Sequence, residues 1–242
     1  MADGLYLRDA YLREFDARVE SAVGSDLVLD RTAFYPEGGG QPTDTGALIG
    51  PDGSRWTVES VAKSDRGILH RVAGVAPPEG NPVHGIVDWA RRYSNMRYHT
   101  CLHILSGVVF QRFGSDITGG QIYADRARMD LSIPDFDRSR AEQVVAEVNA
   151  AVQRDFPIEV RFVPRTELER NPGLVRVDAS LLPDVSELRV IDIRGFDAQA
   201  DGGTHVHSTR EVGPVVLQKI ENKGARYKRL YLSLGAPETP RQ

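Results

Sequence analysis

Cysteine and long apolar runs are the scarcest features of this sequence. Cys101 is the only cysteine, which excludes an internal disulfide and indicates a reducing environment. No stretch approaches the roughly 18 uninterrupted apolar residues that a membrane span requires. The first residues also show no apolar signal-peptide core. We therefore expect a soluble cytoplasmic protein that does not enter a membrane.

Excess charge is scarce as well. The 34 acidic and 30 basic residues give a net charge of −4, which excludes nucleic-acid binding through overall charge alone. Two segments depart from this average. Residues 91–128 hold six arginines against two aspartates, and residues 213–242 hold six basic against two acidic residues. Each segment is either a solvated face or a local binding site for phosphate groups.

The composition is nevertheless that of a folded protein. Of the 242 residues, 40% are hydrophobic and 26% are charged, which is enough to form a core and argues against a disordered chain. Residues 1–90 consist of short alternating runs separated by turn residues, and this spacing predicts a small β-barrel domain. The predicted strands are Phe15–Val23, Asp26–Leu29, Arg55–Ala62, Gly67–Val72 and His84–Trp89.

Residues 91–242 show helical and strand-like patterns in turn. The resulting prediction is an α+β domain with a mainly antiparallel sheet packed by helices. The junction between the two domains is expected within Asp88–Arg97. The predicted helices are His99–Phe113 and Arg138–Arg154, and the predicted strands are Arg189–Arg194, Val215–Glu221 and Arg229–Leu234.

A glycine-rich segment, Tyr35–Gly46, interrupts the predicted barrel. Three consecutive glycines, residues 38–40, lie between Pro36 and Pro42 and cannot form a regular strand. Such a segment is either a flexible surface loop or a backbone cradle whose N–H groups face an anionic or carbonyl ligand.

Four of the six histidines form two close pairs. His99 and His103 are one helical turn apart, so their imidazoles lie on one face and can share a metal ion. Cys101 lies on the opposite face and is predicted to be a buried core thiol. His70 and His84 are single and are interpreted as structural or solvent-facing.

The second pair, His205 and His207, follows two adjacent glycines and Asp201. Asp201-Gly202-Gly203-Thr204-His205 is predicted to form a tight turn that enters a short strand. A carboxylate and an imidazole on such a turn can converge on the pair from the helix, and zinc accepts nitrogen and oxygen ligands in this number. The sequence therefore predicts a metal site.

Four blocks of sequence together resemble the free-standing alanyl-tRNA editing proteins of the AlaX type, which are similar to the editing domain of alanyl-tRNA synthetase. The blocks occur in the order of that family and span nearly the whole chain. They are YPEGGGQPTDTG (35–46), HTCLHILS (99–106), GGTHV (202–206) with TREVG (209–213), and IENKG (220–224).

The resemblance implies a hydrolase that removes serine, with glycine as a second substrate, from mischarged tRNA(Ala). It also implies a β-barrel followed by an editing domain, and one zinc ion held by an HxxxH and a CxxxH motif. His99, His103 and His205 match these motifs, whereas Asp201 stands where the family has cysteine. Asp201 is then a metal ligand, an outer residue that orients a ligand, or the mark of a decayed site.

Further roles follow from the resemblance and the local charge. Thr100, Gly39, Gly40 and Gln41 are predicted to contact the aminoacyl group. The chain is too short to hold a complete synthetase as well, so action in trans is expected. Two alternatives stay open: a tRNA-binding relative with a decayed site, and a metal-dependent hydrolase of small esters or amides. The predicted tRNA-binding residues are Arg91, Arg92, Arg97, Lys219, Lys223, Arg226, Lys228 and Arg229.

Overall fold

A computed structural model describes residues 3–115, 117–176, 184–224 and 227–236 of the chain. The chain divides into two compact units, Met1–Asn95 and Met96–Gln242. The sequence-based division falls after residue 90. Within the described residues, every helix is too short or too polar to cross a membrane.

The first unit is built around a closed antiparallel barrel with strand order β2-β3-β7-β6-β5-β8. Two very short strands, β1 and β4, pair in parallel beside it. The predicted barrel is therefore confirmed. The strands are β1 (Asp3–Gly4), β2 (Glu14–Val23), β3 (Asp26–Leu29), β4 (Arg31–Thr32), β5 (Gly46–Ile49), β6 (Arg55–Ser64), β7 (Gly67–Val72) and β8 (Pro82–Val87).

Alternation of apolar and polar residues along the strands fills the barrel. In β2, Phe15, Ala17 and Val19 point inward and are buried, while the residues between them are exposed. Phe15 contacts Phe34 edge to face, with the ring centroids 5.5 Å apart. This apolar interior holds the barrel together and includes only a few polar side chains.

Helix α1 (Trp89–Phe113) begins ten residues before the predicted helix and replaces the end of the predicted strand His84–Trp89. The carboxylate of Asp88 accepts a hydrogen bond from the backbone N–H of Arg91 and so caps the first turn. Sequence periodicity missed this start because most of the helix is buried and lacks a continuous polar face.

The second unit contains two antiparallel sheets, with strand orders β14-β15-β10-β9 and β11-β12-β13. This arrangement confirms the predicted α+β class. The remaining elements are β9 (Ile117–Ile122), β10 (Ala127–Ser132), α2 (Arg138–Gln153), β11 (Ile158–Pro164), α3 (Arg165–Arg170), β12 (Glu187–Ile193), β13 (Asp197–Ala200), β14 (Val215–Asn222) and β15 (Tyr227–Leu234).

Helix α2 shows why its prediction succeeded. The side chain of Asp137 accepts a hydrogen bond from the N–H of Arg140 and fixes the first turn. One apolar stripe, which includes Ala141, Val144 and Val148, is buried, and the opposite face is polar. Strands β9, β10 and β11 were not predicted, because their apolar runs are short and β9 contains two glycines.

Candidate metal centre

Helix α1 carries the first two residues of the site. His99 and His103 project from one face of the helix, with their ring centroids 5.1 Å apart. Both side chains are buried, at 6% and 10% exposure. The helical spacing thus places both imidazoles where the sequence predicts them.

The other two residues lie on the turn that follows β13. The carboxylate of Asp201 accepts a hydrogen bond from the backbone N–H of Gly203, with an Oδ2–N distance of 2.6 Å. The imidazole of His99 lies directly against the Cα of Gly203, so that any side chain on this glycine would overlap the ring. Of the two adjacent glycines, only Gly203 provides room for a neighbouring imidazole.

The turn brings its two side chains onto the helical pair. The ring of His205 lies 4.5 Å from each of the rings of His99 and His103, centroid to centroid. Asp201 carboxylate oxygens lie 3.1 Å from Nε2 of His205, 3.6 Å from that of His99 and 4.0 Å from that of His103. Residues that are about 100 positions apart in the sequence therefore meet at one point.

This donor set fits a divalent cation. One ligand atom from each of the four residues lies within 4.8 Å of the other three. Ligands of a tetrahedral zinc ion at about 2.1 Å lie about 3.4 Å apart, so a small inward movement completes the geometry. Three imidazole nitrogens and one carboxylate oxygen form a harder set than one that includes a thiolate. The position of Asp201 agrees with the ligand interpretation.

Electrostatics keep these groups in their metal-binding forms. Burial lowers the pKa of all three imidazoles, that of His205 to about 4, so they are neutral near pH 7. Burial alone would raise the pKa of the Asp201 carboxyl, but its interactions with the surrounding imidazoles hold that pKa well below its usual value. Neutral imidazoles and an ionised carboxylate are the forms that coordinate a cation.

Thr100 supports the site from behind. Its hydroxyl lies 3.1 Å from Nδ1 of His205 and 3.3 Å from the backbone N–H of Val206, which donates to it. The side chain is fully buried. Thr100 thus orients a predicted ligand, and its contact with an aminoacyl group stays a prediction.

The glycine-rich segment forms a tight turn in the first unit. Gly38 and Gln41 exchange both of their backbone hydrogen bonds, and Gly39 and Gly40 have φ values of 58° and 79°. Two consecutive positive φ values are typical of a type I′ turn, which glycine adopts without strain. Two of the N–H groups are thereby used within the turn. A role of Gly39, Gly40 and Gln41 in substrate binding stays a prediction.

The predicted tRNA-binding arginines at the start of α1 are engaged within the protein. Arg92 has no exposed surface and forms an ion pair with Asp44. Nε of Arg91 donates to the carbonyl of Thr43 at 2.8 Å. Arg97 donates to backbone carbonyls, including that of Val212 at 2.7 Å. The burial of Arg92 argues against the predicted phosphate contact, because a fully enclosed guanidinium cannot reach a phosphate.

The predicted basic residues of the last two strands are more accessible. Lys219 and Lys223 are 63% and 45% exposed, and both pair with Glu221. Arg229 binds Asp130 through two nitrogens, at 2.6 and 2.8 Å. Lys228 is partly exposed. Arg226 lies outside the described residues.

The remaining singled-out residues are structural. Cys101 is a free, fully buried thiol whose pKa is raised by burial to about 12, as expected for a core residue. His70 is buried in the barrel and bonded to the hydroxyl of Thr32 at 2.8 Å. His84 is partly exposed and pairs with Asp16.

Sequence reasoning missed two buried residues next to the site. Arg189 and Gln199 are buried, and each donates to backbone carbonyls of the segments that bear the metal-binding side chains. A charged residue within the mostly apolar strand β12 is the one hint, because a buried arginine requires nearby acceptors.

The barrel and the site-bearing unit define a class of protein. Residues 7–91 match the family described as tRNA synthetases class II (A). Residues 188–231, which include Asp201 and His205, match the second additional domain of threonyl and alanyl tRNA synthetases. The fold and the site are therefore those of a synthetase-related editing module.

Individual relatives identify the family. The alanyl-tRNA editing protein AlaX-M of Saccharolobus solfataricus is 39% identical over 236 residues, covering 97% of this chain and 99% of that protein. The protein of the same name from Methanosarcina acetivorans is 37% identical over 243 residues. The alanine–tRNA ligase of Korarchaeum cryptofilum is 37% identical over 240 residues, which are only 27% of that protein. The chain belongs to the alanyl-tRNA editing protein family, and the predicted enzyme class, a deacylating hydrolase, is confirmed.

Proposed function

We propose that this chain hydrolyses the ester that joins serine to tRNA(Ala), with glycine as a second substrate, and acts in trans in the cytoplasm. The observation that carries the proposal is the convergence of three neutral imidazoles and one carboxylate in a member of an editing family. We further propose zinc as the resident ion, one per chain.

The histidines and the aspartate of the centre contribute different properties to metal binding. His99, His103 and His205 bring their Nε2 atoms to within 4.0 Å of the Asp201 carboxylate, which supplies the negative charge that would offset a cation. A zinc ion held by these residues would supply a Lewis acid for the ester carbonyl and would lower the pKa of a bound water to ~7. Asp201 is the most exposed of the four side chains, at 16%.

Such a function is needed because a synthetase cannot distinguish small amino acids by binding affinity alone. A synthetase pocket that accepts alanine cannot exclude the smaller glycine and rejects serine only weakly, because serine adds a single hydroxyl. A second site that hydrogen-bonds this hydroxyl can remove serine and spare alanine. We assign the aminoacyl contacts to the backbone of residues 39–41. We leave Thr100 out because its side chain is fully buried and its hydroxyl contacts His205 and Val206.

Recognition of tRNA is assigned to the accessible basic residues of β14, of the position that follows it and of β15. Lys219, Lys223, Lys228 and Arg229 carry positive charge at or near the surface. Their attraction to phosphates releases counterions, which makes binding dependent on salt concentration. We leave Arg92 out of this set because its guanidinium is enclosed.

Deacylation assays test the proposal. Zinc-loaded protein is expected to hydrolyse Ser-tRNA(Ala) and Gly-tRNA(Ala) and to leave Ala-tRNA(Ala) largely intact, and chelation is expected to abolish the activity. His205→Ala is expected to lose at least 100-fold in rate. The matched control is His207→Ala, because His207 is exposed two positions further on, and it is expected to retain activity.

Each alternative function gives a distinct result. Folded protein that binds zinc and tRNA(Ala) but hydrolyses none of the three charged tRNAs would be a non-catalytic relative. Hydrolysis of small esters together with inactivity on charged tRNA would indicate the other enzyme class. Either result would overturn the proposed reaction.

A further inference from the structure

Arg189 is a buried arginine beside the metal centre. It lies on β12, next to β13, the strand that leads into Asp201. Only 7% of the residue is exposed. A buried guanidinium is costly unless its N–H groups find acceptors, so its partners show what it stabilises.

Two of those partners are backbone carbonyls of the turn that carries Asp201. Nη1 of Arg189 donates to the carbonyl of Asp201 at 3.0 Å and to the carbonyl of Gly203 at 2.7 Å. The backbone N–H of Asp201 in turn donates to the carbonyl of Arg189 at 3.1 Å. Residues 201–203 form neither helix nor strand, so these bonds supply order that a regular element would otherwise provide.

The same guanidinium also faces the Asp201 carboxylate, with Nη1 3.9 Å from Oδ2. That carboxylate is held on another side by the N–H of Gly203. The carboxylate and the backbone of the turn therefore share one buried support. Because the turn also sets the start of the segment that carries His205, the support reaches two of the four candidate ligands.

We propose that Arg189 is a positioning residue that fixes the Asp201–Gly203 turn in the geometry required to bind the metal ion. The proposal rests on the proposed metal-dependent function. In this role Arg189 acts through the turn, by its bonds to the carbonyls of Asp201 and Gly203. Residues that orient metal ligands in this way typically contribute 10- to 100-fold to metal affinity.

Charge and position predict opposite effects on affinity, which makes the role testable. A positive charge close to a cation site repels the cation, so its removal strengthens binding if charge dominates. If positioning dominates, removal weakens binding because the turn loses its support. The sign of the change in Kd therefore separates the two effects.

The experiment measures Co²⁺ and Zn²⁺ binding to the full chain. Co²⁺ is followed by its visible d–d absorption and Zn²⁺ by competition with a chromophoric chelator. Arg189→Met is expected to raise both Kd values at least tenfold and to weaken the tetrahedral Co²⁺ spectrum. Arg189→Lys keeps the positive charge but loses the planar guanidinium that bonds two carbonyls at once. Its Kd values are expected to lie between those of the methionine variant and those of the unaltered chain.

Controls make every outcome decisive. Thermal unfolding in chelator checks the fold, and if Arg189→Met does not fold, Arg189→Lys and Arg189→Gln decide by the same titrations. Kd values within twofold of the unaltered chain, or tighter binding, overturn the positioning role. An unaltered chain that binds neither metal overturns the metal centre itself, whereas one that binds metal without deacylating Ser-tRNA(Ala) overturns only the proposed reaction.

Discussion

At the scale of single residues, the centre depends as much on a missing side chain as on those present. The Cα of Gly203 lies against the imidazole of His99, whereas the Cα of Gly202 faces open space. Neither glycine has a positive φ value, so backbone strain plays no part at these positions. The two adjacent glycines therefore have different physical roles.

Replacement of each glycine by alanine tests this difference. Gly203→Ala is expected to displace His99 and weaken zinc binding at least tenfold, because the new methyl group and the ring cannot both be accommodated. Gly202→Ala is the matched control and is expected to bind zinc within twofold of the unaltered chain. Chelator competition provides both affinities. Equal affinities for the two variants would contradict the close contact.

His70 predicts a dependence of stability on pH. Burial lowers the pKa of its imidazole from 6.5 to about 4, so the folded state holds the ring neutral. Between pH 6.5 and 4, His70 binds a proton in the unfolded chain but not in the folded chain. Stability is therefore expected to fall as pH decreases from 6.5 to 4, by up to about 3 kcal/mol.

The variant His70→Gln isolates this contribution. Glutamine can keep a hydrogen bond to the hydroxyl of Thr32 but does not titrate. Between pH 6.5 and 4 the unaltered chain is expected to lose more stability than the variant, because only the unaltered chain contains His70. The urea midpoints of the two proteins, measured at each pH, provide this difference. A constant difference across this range would show that His70 does not remain neutral in the folded chain.

Residue patterns in the sequence predicted the four side chains of the candidate metal centre, but not the residues that hold them in place. His99 and His103 could be predicted because their helical spacing alone places them on one face. Asp201 and His205 could be predicted because two adjacent glycines indicate a turn between them. Arg189 and Arg92 could not, because a guanidinium on the surface and one bonded to buried carbonyls look the same in a sequence.

At the scale of elements, the first turn of α1 is tied to the glycine-rich segment. Nε of Arg92 donates to Oδ2 of Asp44 at 2.9 Å, and the same oxygen accepts the N–H of Tyr35 at 2.7 Å. Nη1 of Arg92 donates to the carbonyl of Ala10. One buried ion pair thus joins a helix start, a loop and the chain segment before β2. The residues that form it are 48 positions apart, which explains why no local pattern reveals it.

Breaking this ion pair on one side is expected to be costly. Arg92→Met leaves the Asp44 carboxylate buried without its cation and is expected to destabilise the chain by about 3–5 kcal/mol. The double variant Arg92→Met/Asp44→Asn removes both charges and is expected to recover part of that loss. Urea unfolding of the single and double variants measures the coupling. A double variant that is as unstable as the sum of the single variants would show that the two charges do not interact.

At the scale of the whole molecule, the two basic segments of the sequence do not form two freely accessible basic surfaces. Most of the predicted tRNA-binding residues already bind a carboxylate or a backbone carbonyl. The net charge of the chain is −4, so binding of phosphates depends on local groups of accessible cations and not on the overall charge. The segments were visible in the sequence, but the engagement of each side chain depends on the tertiary fold.

This distribution predicts a modest and localised salt dependence. The double variant Lys219→Ala/Lys223→Ala is expected to weaken binding of tRNA(Ala) and to make the dependence of log Kd on log salt less steep by about 1.5, since each lost phosphate contact contributes about 0.7–0.9. Lys63→Ala, on the exposed side of β6, is the matched control and is expected to leave the slope unchanged. Binding is measured between 50 and 200 mM salt (about fourfold in concentration). If both variants keep the original slope, the lysines of β14 and its end are ordinary surface, because a cation that touches a phosphate must release a counterion when it binds.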